Sequence, residues 1–110
     1  MLSASEIVLI PYPFTDLSAE KRRPVMVYLP PDAYGDFLAA PITSQMGHAD
    51  EYALSDTDLQ AGHWPKSSWV RTARLFSLHE SRVVRTLGQL HPDAFAKIRR
   101  AICSSLGCHP

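Results

Sequence analysis

Two short runs carry the side chains most able to do chemistry. Lys21-Arg22-Arg23-Pro24 stands where a polar stretch hands over to an apolar one, and Thr43-Ser44-Gln45 closes another apolar stretch about twenty residues later. Guanidinium groups bind phosphate through paired hydrogen bonds and can stabilise the extra negative charge of a pentavalent phosphorane. A threonine, a serine and a glutamine together can hold a phosphate or a ribose hydroxyl. A basic patch on a surface loop and a capped strand end would be written with the same residues, so types alone leave both readings open.

Proton transfer needs a further group, and histidine titrates near neutrality. The chain has five. His48 and His63 fall in expected loops, His79 and His91 at element boundaries and His109 in the tail, and none stands out as the catalyst.

The formal net charge is zero, yet the charges are segregated. Residues 1–60 hold three basic side chains (Lys21, Arg22, Arg23) against nine acidic ones, and residues 61–110 hold eight against two. Such asymmetry can steer a polyanion to one face or pair the ends of a dimer, and it can equally neutralise itself across the fold. With 110 residues and 45% hydrophobic content, one core and one domain spanning 1–110 are expected. A small domain gains from added buried area, so a homodimer is expected too.

No stretch reaches the length of a membrane span, and the opening MLSASE lacks the basic start and apolar run of a secretory signal. A cytoplasmic protein with no membrane role follows as the expectation. Cys103, Cys108 and His109 are fewer ligands than a structural zinc site needs, so no metal and no cofactor are expected.

The elements that must position these residues are mostly strands. EIVLIPY, PVMVYL and DFLAAPIT read as strands because β-branched and apolar residues run between proline and turn signals. PFTDLSAEKR reads as an exposed loop, and Pro41 predicts a bulge or an edge just before Thr43. EYAL pairs with a neighbour. SDTDLQAG predicts one helical turn capped by Ser55 or Asp56 and stopped by Gly62. SSWVRTARLFSL contains two β-rich pieces, with Trp69 a candidate for core or dimer contact, and a turn through Arg82 leads to a strand near Thr86.

HPDAFAKIRRAICSSLG is a helix. Pro92 suits its first position, Asp93 its positive end, Phe95, Ile98, Ile102 and Leu106 its apolar stripe, and Gly107 its stop. Lys97, Arg99 and Arg100 form a solvated face. Five to seven short strands and one terminal helix predict a mainly β fold, a small and partly open barrel.

Three strings at ordered spacing, EIVLIPYPFTDLSAEKRRPVMV, APITS, and SSWVRTARLFSL with LGQLHPDAFAKIRRAI, resemble the MazF/PemK toxins of type II toxin-antitoxin systems from Glu6 to about Leu106. The most specific element is Arg-Pro opening an apolar strand, followed by Ile-Thr. The resemblance implies a CcdB/MazF-type SH3-like barrel, a homodimer and metal-independent cleavage of single-stranded RNA through its 2′-hydroxyl. It makes Arg23 and Thr43 the central catalytic pair, with Arg71 beside them and Arg22, Ser44, Gln45 and Asp16 as the surrounding RNA contacts. It also implies an acidic antitoxin as partner.

Some relatives carry Arg-x-Asp on the later strand as an acid and base pair. Here Arg71 is kept and Ala73 stands in the carboxylate's place, so either positioning alone activates the 2′-hydroxyl, or a loop residue such as Asp16 or His48 substitutes, or the protein cuts slowly. Ser5 replaces the glycine common before the first strand. A CcdB-like protein that binds DNA gyrase and cuts nothing would use the same barrel. It would leave Arg23 and Thr43 dispensable.

Overall fold

The computed structural model describes residues 2–12, 21–45, 47, 49–62 and 67–107. Among them, eight strands and one α-helix follow in order: β1 (Glu6–Tyr12), β2 (Lys21–Leu29), β3 (Asp36–Thr43), β4 (Glu51–Leu54), β5 (Leu59–Gly62), β6 (Ser68–Arg71), β7 (Phe76–His79), β8 (Arg85–Leu90) and α1 (Pro92–Leu106). The strands form one antiparallel sheet in the order β4-β6-β3-β2-β1-β8-β5, with β7 also paired to β3. It is the mainly β, barrel-like fold with a terminal helix that the sequence predicts.

The central strands β1, β2 and β3 carry buried residues on both faces, which is why β1 and β2 read as continuous apolar runs. On the helix side, Ile7, Met26, Ala40, Ile42, Leu54, Val70 and Leu90 pack with Ile98 and Ile102 of α1. On the other side, Val8, Ile10, Val25, Val27, Phe37 and Ala39 form a second cluster, covered by Phe76, Leu78 and Val83. Successive strand residues alternate between the two clusters, as a pleat requires.

Prolines shape the middle of the sheet. β3 pairs with β7 through Asp36–Ala39 and with β6 through Ile42 and Thr43. Pro41, which has no N–H to donate, sits where β3 changes partner on that edge. On the other edge the β2–β3 ladder ends at Val25 opposite Pro41, while its register shift lies between Val27 and Leu29. Neither expectation at Pro41 is met as stated: β3 is a central strand, Pro41 falls in the gap between its pairings with β7 and β6, and the bulge lies elsewhere.

Three further expectations change. Lys21 and Arg22 are not in the loop but, with Arg23, open β2 opposite Tyr12, Pro11 and Ile10 of β1. The helical turn after Ser55 is only the 3-10 turn Asp56–Asp58, entered with the Ser55 N–H bonded to the Asp58 carboxylate at 2.9 Å. Leu59–Gly62 is instead a strand, an eighth beyond the expected seven. Long-range pairing overrides the local helical signal, because Gly62 and Gly88 face each other across β5 and β8. A Cβ on Gly88 would lie 2.5 Å from the Ala61 carbonyl oxygen, so the close approach depends on glycine there.

The helix begins at Pro92 and ends with Gly107 in the left-handed region (φ 82°), as expected. Its buried residues are Ala94, Ile98 and Ile102, whereas Leu106 is 55% exposed. Each four-residue step along a helix rotates about 40°. By Leu106 the stripe has turned off the sheet. Lys97, Arg99 and Arg100 are exposed, with the Arg99 guanidinium 5.8 Å from the Phe95 ring centroid.

Candidate active site

Strand register determines which side chains share a face. Val25 stands opposite Pro41, and the next same-face position on each strand is Arg23 on β2 and Thr43 on β3. Thr43 in turn pairs with Trp69 on β6, so Arg71, two residues on, emerges on that face as well. Arg23, Thr43 and Arg71 therefore come from three adjacent strands onto one side of the sheet. They extend the face of the Val25–Ile10 cluster beyond its buried part. Arg23 is exposed there, and Thr43, Trp69 and Arg71 are half-buried.

Thr43 is held by a local turn. The Gln45 backbone N–H donates to Thr43 Oγ1 at 3.1 Å, which occupies an acceptor position and leaves the hydroxyl proton to be given away. Ser44 and Gln45 follow as exposed residues beyond the strand end. Arg22, one residue from Arg23, projects from the opposite face. The structure thus gathers Arg23, Thr43 and Arg71, sets Ser44 and Gln45 at their margin and turns Arg22 away. Asp16, His48, His63, Cys108 and His109 lie outside the described residues.

Arg71 has a partner that sequence reasoning did not single out. Its Nε donates to both oxygens of Asp50 at 3.2 Å, and its Nη2 to Asp50 Oδ1 at 3.1 Å. The two side chains are 17% and 18% exposed, so solvent screens the pair little. Asp50 Oδ2 also accepts the Ala73 N–H at 3.2 Å, and the Asp50 carbonyl accepts the Thr72 N–H at 2.9 Å. A carboxylate is thus anchored at Ala73 although residue 73 cannot supply one. Burial by itself pushes the Asp50 carboxyl up, but the hydrogen bonds from Arg71 and Ala73 outweigh it and hold the group below its usual range.

The β4–β6 register puts Glu51, not Asp50, directly opposite Arg71. Glu51 Oε1 accepts the Gly47 N–H at 3.2 Å, and its buried Oε2 has no hydrogen-bond partner among the described residues. No local motif marks Asp50 or Glu51. They reach the site because EYAL pairs with SWVR, a pairing that is visible only in the fold.

Of the two described histidines, His79 is tied into local structure by its side chain. His79 Nδ1 accepts the Ser81 N–H at 3.1 Å, which assigns the ring proton to Nε2, and Nε2 donates to the Tyr34 carbonyl at 3.0 Å. His91 precedes α1, exposed and without a side-chain capping bond. A cavity of about 300 Å³ between Tyr28 and the helix residues Arg99, Arg100 and Cys103 lies on the helix side of the sheet, away from Arg23.

Comparison with known proteins gives the same direction. The family model of PemK-like, MazF-like toxins of type II toxin-antitoxin systems matches residues 3–106. A mycobacterial endoribonuclease solved with its cognate antitoxin superposes with a TM-score of 0.77 at 16% identity, covering 100% of this chain and 99% of that one. MazF in a MazE-MazF structure from Deinococcus radiodurans gives 0.71 at 25% identity over 98% of each chain. The Mycobacterium tuberculosis toxin MazF-mt6 gives 0.72 at 18%, over 96% of this chain and 99% of that one. No curated protein sequence matches. With the family model spanning all but the two ends, and solved relatives matching nearly the whole barrel, the chain belongs to the PemK-like, MazF-like toxins of type II toxin-antitoxin systems.

Proposed function

We propose that the chain is an endoribonuclease that cuts single-stranded RNA without a metal ion, using the RNA's own 2′-hydroxyl as nucleophile. The observation that carries this reading is the convergence of Arg23, Thr43 and Arg71 on one face of β2, β3 and β6. The 2′-oxygen forms a bond to the adjacent phosphorus as the bond to the 5′-oxygen breaks. The 2′-hydroxyl proton leaves to solvent and the 5′-oxygen gains one. The products are a 2′,3′-cyclic phosphate and a 5′-hydroxyl.

In that reaction Arg23 donates to the phosphorane oxygens as their negative charge grows, an effect largest in the transition state. Thr43 donates its hydroxyl proton to the phosphate and fixes the 2′-oxygen in line. Arg71, with Nη1 unspent among the described residues, adds a second positive charge beside them. Trp69, across from Thr43, offers a ring on which an unstacked base can lie. Ser44 and Gln45, at the margin of that face, and Asp16 are the outer RNA contacts of this reading, and Arg22, which projects from the opposite face, is not among them.

A protein antitoxin as partner is supported by the solved relatives described with one. An acidic, partly disordered antitoxin, a homodimeric toxin and a cytoplasmic setting complete the proposal. The test is cleavage of a long unstructured RNA in EDTA. Wild-type protein should cut it, and a folded Arg23→Ala variant should not; undiminished cutting by that variant would remove Arg23 from the mechanism.

A further inference from the structure

The geometry points to Asp50 as the residue that positions Arg71 for catalysis. This rests on the nuclease reading above and adds a residue to it. An arginine at the end of a strand has four side-chain torsions to order, and ordering them costs conformational entropy. Asp50 removes that freedom before RNA arrives. It takes the guanidinium side-on through Nε and Nη2, so the Nη1 edge is the one left to meet a phosphate.

The clamp is itself fixed. The Ala73 N–H holds one carboxylate oxygen, and the Thr72 N–H holds the Asp50 carbonyl, so both main-chain and side-chain atoms of Asp50 are tied to the segment that follows Arg71. Thr72 is anchored in turn, its hydroxyl 2.6 Å from Ser105 Oγ on α1. Glu51 faces Arg71 across the strands, yet it makes no hydrogen bond to it. The guanidinium is drawn toward the start of β4 rather than straight across the pair. Asp50 is a poor proton acceptor near neutrality because its carboxyl is held below the usual range. Its part is therefore orientation.

The test is a double-mutant cycle on cleavage of single-stranded RNA in EDTA, with kcat and KM measured separately. Asp50→Asn should lower kcat by about 100-fold, the loss expected for a catalytic group displaced by about 1 Å, with KM changed less than about threefold. In an Arg71→Ala background the same substitution should cost less than about twofold, because Asp50 acts only through Arg71. A merely structural role would instead lower both backgrounds equally. Should Asp50→Asn fail to fold, Arg71→Lys tests the same point: a lysine cannot make the side-on contact, and kcat should fall comparably.

Wild-type or higher kcat for Asp50→Asn, or additive losses in the cycle, would overturn the assignment of Asp50 while leaving the nuclease reading intact. No cleavage by the wild-type protein would remove the nuclease reading and this inference with it.

Discussion

Arg71 and Asp50 meet through two nitrogens and two oxygens at 3.1–3.2 Å, from strands whose direct cross-strand pair is Arg71 with Glu51. An ion pair so placed links the site to the stability of the β4–β6 edge, and the link has a pH dependence of fixed sign.

An unfolded aspartate titrates near about 4, and folded Asp50 titrates lower. Above both values the carboxylate is ionised in either state and its stabilisation is complete. As pH falls, the unfolded chain takes up a proton first, so stability drops until folded Asp50 is protonated as well. The stability gap between wild type and Asp50→Asn should be constant above about pH 5 and shrink in acid. Urea unfolding at several pH values measures it; a gap that widened in acid would contradict the assigned direction.

Thr43 tests whether a hydroxyl or merely a shape is required. Thr43→Val keeps the branching at Cβ and removes the oxygen that accepts the Gln45 N–H. Loss of one transition-state donor costs about 100-fold or more in kcat, and that is the expected effect, with Tm nearly unchanged. Thr43→Ser should recover most of the activity. Equal rates for the valine and wild-type proteins in a steady-state cleavage assay would exclude the hydroxyl from catalysis.

Ser5 carries a different kind of information. It is 8% exposed and held at φ 76°, in the left-handed region, by bonds from its N–H to the Val27 carbonyl and from the Leu90 N–H to its own carbonyl. A glycine at residue 5 would adopt that conformation without strain. Ser5→Gly should be more stable than Ser5→Val by about 2 kcal/mol, since a β-branched residue is disfavoured there. Equal midpoints for the two variants in chemical denaturation would show that the backbone at residue 5 relaxes.

The strands were legible where burial on both faces writes itself as unbroken apolar runs, as in EIVLIPY and VMVYL, and α1 where Pro92 and Gly107 mark its ends. The resemblance singles out Arg23 and Thr43, and the β2–β3 register places them on one face. Leu59–Gly62 was not, because its strand depends on Gly88, more than two dozen residues away, and not on its own propensity. Asp50 was hidden for a related reason. An acidic residue in a polar loop has no local signature, and only the pairing of β4 with β6 brings it to Arg71.

Cleavage in EDTA with analysis of the RNA ends tests the central claim most directly. The account predicts that wild-type protein cuts a long single-stranded RNA to products with 2′,3′-cyclic phosphate and 5′-hydroxyl ends, and that folded Arg23→Ala leaves it whole. Intact RNA with the wild-type protein, accompanied by inhibition of DNA gyrase, would contradict it.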